Sequence, residues 1–201
     1  KTMKKIPVGV KVGILSVFFT LLVIFGMYKF WWGGRFVPKE FIEARSQGAL
    51  VADRVAWLSS VSLQNLQKVS ELEANSQYEE AINIVSQELA RNKEARGEAI
   101  KLSNYLDQMA KLLSEIKPRE ARDLAAEAVG VEIQVINRLI SYNEYLGNLF
   151  ELLKAKFEGK IKNGDDRLKE LLLLINQETN YINSLNKRFN ERMGEFNGLT
   201  S

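Results

Sequence analysis

The sequence predicts an all-α protein. An N-terminal single transmembrane helix leads into an elongated antiparallel up-down-up-down four-helix bundle of coiled-coil-like character. Three observations carry this. Val12–Tyr28 is a run of seventeen residues without a charge, bordered by Lys11 on one side and by Lys29, Trp31 and Trp32 on the other. From Pro38 onward the chain holds one internal proline, Pro118, and little of the β-branched alternation that strands require. Through that same stretch apolar residues recur at spacings of three and four, interrupted by three short breaks.

The first element is the anchor, residues 1–34. A helix rises about 1.5 Å per residue, so Val12–Trp32 reaches roughly 30 Å, the thickness of a bilayer core. Lys11 and Lys29 suit snorkelling to the two headgroup layers, and Trp31 and Trp32 suit an interfacial belt. A cleaved signal peptide would need small residues after its apolar region, whereas here Phe30-Trp31-Trp32 stand there. A signal-anchor is therefore expected, with the lipid bilayer as partner. Gly9, Gly13, Ser16 and Thr20 form a small-residue stripe of the kind that lets two membrane helices approach, which makes a homodimer one expectation. Glycine is also common in membrane helices generally.

The bundle is expected over 35–201, with helices at about 38–73, 77–116, 118–162 and 165–197. Ser76-Gln77-Tyr78-Glu79 fits a capping box for the second helix. Lys117-Pro118 marks the next boundary, because proline disfavours helix before it and suits a first turn. Asn163-Gly164 fits a left-handed close of the third helix, and Asp165 a cap for the fourth. Helix one carries Phe41, Ala44, Gly48, Val51, Val55, Leu58, Ser62, Leu66 and Val69 along its seam. Helix two carries Ile82, Val85 and Leu89, then shifts phase before Leu102, Leu106 and Met109. Helix three runs from Ala128 through Val135, Leu139 and Tyr142 to Leu153, and helix four from Leu168 through Ile175 and Ile182 to Phe196. Short connections between such helices favour antiparallel neighbours. Repeats of the tetratricopeptide type would show self-similarity near every 34 residues, and the sequence has none.

Polar interruptions of the seams are the places to look for function. Arg54, Arg96 and Arg138 fall at similar heights when counted from the turns, and a polar layer there would bind an anion or set register. The simpler reading sends their heads to water from the seam's edge. Asn176, Asn183, Asn190 and Asn197 recur every seven residues beside the seam of helix four, either as a docking strip for another helix or as a solvated face. Asn92, Glu178 and Arg192 also interrupt the seams.

The formal charge of +3 misleads until the anchor is set aside. Residues 1–38 hold six basic side chains and no acid, leaving 22 basic and 25 acidic residues beyond them. That remainder offers no basic footprint for nucleic acid. The chain has no histidine and no cysteine, which removes Ser-His-Asp and thiol chemistry, Cys/His zinc sites and the Glu-x-x-His pairs of di-iron bundles. No Gly-rich phosphate loop occurs. No enzyme activity, catalytic residue, metal or cofactor is expected.

In layout the chain resembles the sensing portion of bacterial chemoreceptors, an amino-terminal membrane helix leading into a long helical bundle. The resemblance is architectural and rests on no motif. Those receptors return through a second membrane helix, whereas this sequence closes on polar Asn197-Gly198-Leu199-Thr200-Ser201. The reading is a single-pass envelope protein whose bundle serves as a scaffold or protein-interaction module, its partner another protein or itself. The alternative is an extracytoplasmic ligand-sensing bundle that works with a separate signalling subunit. Lys1, Lys4, Lys5 and Lys11 slightly outweigh the basic residues beyond the run, which places the amino terminus in the cytoplasm and the bundle outside it.

Overall fold

A computed structural model describes residues 36–161 and 164–200. The anchor, with Gly9, Lys11, Gly13, Ser16, Thr20, Lys29, Trp31 and Trp32, lies outside the described residues. Among the described residues no helix is long and apolar enough to cross a membrane. They form four long helices and no strand: α1 (Lys39–Ala74), α2 (Tyr78–Leu112), α3 (Arg119–Phe157) and α4 (Asp165–Thr200), with a 3₁₀ turn at Leu113–Glu115.

Chain ends and turns differ from expectation in instructive ways. The Ser76 capping box does not form. Instead Gln77 N–H donates to Leu72 O (2.9 Å) and Ser76 N–H to Glu73 O (3.1 Å), with Ser76 at φ +59°. This pair of bonds is a Schellman close of α1, and it draws Ser76 into the left-handed region. Gln77 takes the N-cap place of α2 without a side-chain bond. The third helix ends at Phe157, earlier than expected, through the same device. Lys160 N–H reaches Ala155 O (2.9 Å), Gly159 N–H reaches Lys156 O (3.1 Å), and Gly159 adopts φ +71°. Glycine at 159 takes the role expected of Asn163-Gly164. Asp165 is the first residue of α4, not its cap, and its carboxylate accepts from Lys156 Nζ at 2.8 Å. Pro118 stands at the N-cap of α3, as the Lys117-Pro118 boundary predicts.

Cross-helix pairs fix an antiparallel order. Arg54 meets Glu94 and Lys68 meets Glu80 between α1 and α2. Asn92 meets Asn143 between α2 and α3, and Arg138 meets Glu178 between α3 and α4. The circuit closes between α1 and α4, where Phe41 and Phe196 stack at 5.9 Å and Arg45 donates to Asn197 at 3.1 Å. This last seam differs from the other three. No Cα of α1 lies within 8 Å of a Cα of α4, so only side chains bridge it. On the α1–α2 seam the chains approach closely at Gly48, where a Cβ would stand 3.3 Å from Leu102 Cδ1.

The core follows from the seams. Phe41, Val55, Leu58, Val69, Val85, Ala99, Leu149, Phe150, Leu171, Ile175 and Ile182 are almost wholly buried. In α2 the buried line runs through Ala81, Ile84, Val85, Glu88, Asn92 and Ala95, leaving the expected Ile82 and Leu89 half-buried. Val51 and Leu66 of α1 are likewise half-buried. The buried apolar side chains divide into two clusters. One holds Val55, Ala99, Val135 and Ile182 and fills the end near the α1–α2 turn. The other holds Phe41, Leu102, Ile136 and Phe189 and fills the opposite end.

Candidate functional site

Arg54, Arg96 and Arg138 have separate surroundings. Arg54 is exposed, pairs with Glu94 at 2.6 Å and lies 4.6 Å over the Trp57 ring. Arg138 is half-buried between α3 and α4, 3.3 Å from the Glu178 carboxylate and 4.5 Å over Tyr181. Arg96 is exposed on α2. Arg54 and Arg138 each stand at the edge of a seam against one carboxylate, and Arg96 extends into solvent. Two of the three guanidinium groups are thus already neutralised by carboxylates.

The asparagine strip lies at the edge of the core. Asn176, Asn183, Asn190 and Asn197 are all half-buried. Asn197 accepts from Arg45 of α1, which shows that this flank of α4 turns toward α1. Asn176 Oδ1 and Asn183 Oδ1 are buried without a hydrogen-bond partner. The heptad spacing was the legible part. That the spacing lies along an internal seam depends on which way the bundle closes.

Of the polar groups inside the bundle, sequence periodicity picks out Asn92 and Glu178 but misses Glu88, Glu132 and Asn143. Glu88 of α2 is wholly buried, accepts from Asn65 Nδ2 at 2.5 Å and pairs with Arg91. Asn92 Nδ2 donates to Asn143 Oδ1 at 3.2 Å, and Asn143 Nδ2 donates to Leu139 O at 2.8 Å. Asn186 is 1% exposed, and its Nδ2 has no partner. Glu132 of α3 is half-buried without a hydrogen bond or ion pair among the described residues, and desolvation pushes its carboxyl up to about 7. Burial likewise pushes the Tyr142 hydroxyl up to about 12. At the far turn, burial works to lower the Lys156 pKa, but hydrogen bonds to Asp165 and Glu73 carry it above its ordinary value. The Lys156 hydrogen bond holds the Asp165 carboxyl below its ordinary value. The signal for Glu88 was its position four residues after Ile84 and four before Asn92.

Outside, Leu50 (61% exposed) and Trp57 (52%) stand two turns apart on one face of α1. Ile100 and Ile133 are also exposed, and Ile133 borders a shallow groove of about 220 Å³ between α2 and α3 with Ser103, Leu106, Asp107 and Ile136. Among the described residues no group of three or more Asp or Glu stands where it could hold a metal ion. Comparison with models of protein families, with curated proteins and with solved structures returns no match.

Proposed function

We propose that the chain is a single-pass membrane-anchored scaffold at the cell envelope, in which residues 1–34 hold the bundle to the bilayer and α1 presents an apolar face to a protein partner. The signal-anchor reading and the cytoplasmic amino terminus belong to this proposal, as does pairing with another protein or a second copy. The observation that carries it is the Leu50–Trp57 face. Two large apolar side chains more than half exposed on one stripe cost free energy in water and become favourable once covered. Trp57, capped by the Arg54 guanidinium, has the aromatic-plus-Arg character typical of interface anchors. The uncharged run Val12–Tyr28 supports the tether, since it ends ten residues before α1 begins.

Proximity labelling from the bundle in native membranes tests this reading. The full chain should mark a small, reproducible set of proteins, and Leu50→Asp with Trp57→Asp should erase that set while helical content persists. An unchanged set in the double variant would refute the role of this face. Recovery of the full chain from cells without membrane association would refute the anchor.

The alternative of a ligand-sensing bundle keeps one specific support, the unpaired polar groups at mid-height of the interior.

A further inference from the structure

The exposed face of α1 around Leu50 and Trp57 is symmetric about its own centre. These two residues stand seven apart, which on a helix leaves them within about 20° of one line. Asp53 and Arg54 occupy the turn between them, one on either flank of that line, and both are exposed. Leu50 precedes this pair by three and four residues, and Trp57 follows it by four and three. Gln47 and Ser60 come next, again equally far from the centre. From 44 to 67 the exposed charges on α1 are Asp53 and Arg54 alone. The strip thus reads apolar, acid, base, apolar in one direction and apolar, base, acid, apolar in the other.

Such a strip is complementary to itself turned end for end, the condition for a twofold, isologous contact. In that arrangement Leu50 meets the partner's Trp57 and Asp53 meets the partner's Arg54, and each contact occurs twice. A parallel arrangement fails on charge, since it sets Asp53 on the partner's Asp53 and Arg54 on the partner's Arg54. Arg54 has donors to spare for this. Its Nη2 donates to Glu94 of α2, and a guanidinium carries five N–H groups. Its place over the Trp57 ring, 4.6 Å from the centroid, holds charge and aromatic together on the face. Like charges meet only at the ends, where Lys39 comes opposite the partner's Lys68. Each of those lysines already has a carboxylate, Glu43 at 3.8 Å for Lys39 and Glu80 at 3.1 Å for Lys68.

Resting on the reading of this face as an interface, we infer that its partner is a second copy of the chain, paired antiparallel along α1 about a twofold axis between residues 53 and 54. The two Leu50–Trp57 contacts form the apolar centre and remove from water the side chains that α1 leaves most exposed there. The two Asp53–Arg54 pairs set register and direction, the role charged pairs take at helix–helix contacts. An unrelated partner would not require equal spacing on both sides of the acid–base pair; a second copy does. Antiparallel α1 helices begin at opposite ends of the pair. Residues 29–38 reach at most about 36 Å when extended, enough for the pair to lie along one bilayer with a tether at each end.

Disulfide trapping of the purified full chain in detergent tests the pairing, and because the sequence has no cysteine, introduced thiols are the sole reporters. One preparation carries Gln47→Cys and the other Ser60→Cys. Their mixture should give a linked dimer under mild oxidation, and either preparation alone severalfold less. Identical positions stand about 20 Å apart along the antiparallel pair, beyond disulfide reach. Adding Asp53→Arg to both copies should lower the linked dimer about tenfold with helical content unchanged. Asp53→Arg in one copy with Arg54→Asp in the other should restore it. Equal linking in the unmixed preparations, or a dimer that survives Asp53→Arg in both copies, would overturn the antiparallel pair. No linked dimer from the purified chain, with position 50 still crosslinking a different protein in native membranes, would overturn the second copy and leave the interface reading standing. Failure of both experiments would remove the two together.

Discussion

Glu132 makes the stability of this bundle depend on pH in a direction opposite to that of most carboxylates. Its folded-state pKa is raised from 4.5 to about 7, so the folded chain holds this proton more tightly than the unfolded chain. The stabilising contribution of the protonated carboxyl is complete below about pH 4.5 and is lost as pH rises through 7. At about 1.4 kcal/mol per pH unit, the span from 4.5 to about 7 sets a ceiling of about 3 kcal/mol. Glu132 keeps part of its contact with solvent, which lowers the expected loss to about 1–2 kcal/mol. The chain contains no histidine, so no imidazole titration obscures this window. Urea unfolding of residues 36–201, followed by circular dichroism at pH 5, 6, 7 and 8, should show the midpoint falling as pH rises. Glu132→Gln should flatten that profile and exceed the wild type at pH 8 by about 1–2 kcal/mol. A wild-type profile that is flat or rises between pH 5 and 8 would refute the reasoning, as would a glutamine variant that follows the wild type.

The two left-handed helix closes should respond in opposite senses. Ser76→Gly should stabilise by about 0.5–1 kcal/mol, because relief at φ +59° outweighs the added freedom of the unfolded chain, while Gly159→Ala should destabilise by about 1 kcal/mol. Urea midpoints of the two variants check both signs. Asn143→Ala should cost about 1–3 kcal/mol, since it strands Asn92 and leaves the Leu139 carbonyl without its side-chain donor. A double-mutant cycle with Asn92→Ala should give non-additive losses. Leu171→Ala, deep in one apolar cluster, should cost about 2–5 kcal/mol by leaving a cavity.

The helices were legible because spacing of three and four survives over thirty or more residues, and because Pro118 and the 75–77 break punctuate it. Local closes were less so. Ser76 reads as a cap from its hydroxyl and from Glu79 three residues on, but the Schellman bonds to Leu72 and Glu73 claim its backbone first. Gly159, a single glycine two residues after Phe157, is the stop signal that the backbone uses, although Asn163-Gly164 is the stronger signal on local sequence alone. The interior polar groups were hard to place for a different reason. Glu88 and Glu132 are one residue out of step with the apolar seam as counted, and only the closed bundle shows the true phase of each helix. The asparagine strip shows the same limit: its period was plain, but its neighbour α1 is at least 102 residues away in the chain, and nothing local announces it.

The most direct test of the scaffold reading is site-specific photocrosslinking from position 50 in the full chain in its native membrane, with exposed Glu144 on α3 as the control position. The account predicts a discrete protein adduct from position 50 that is absent from position 144 and is lost when Trp57 is replaced by Asp. Adducts of equal intensity from both positions, or no protein adduct from position 50, would contradict it.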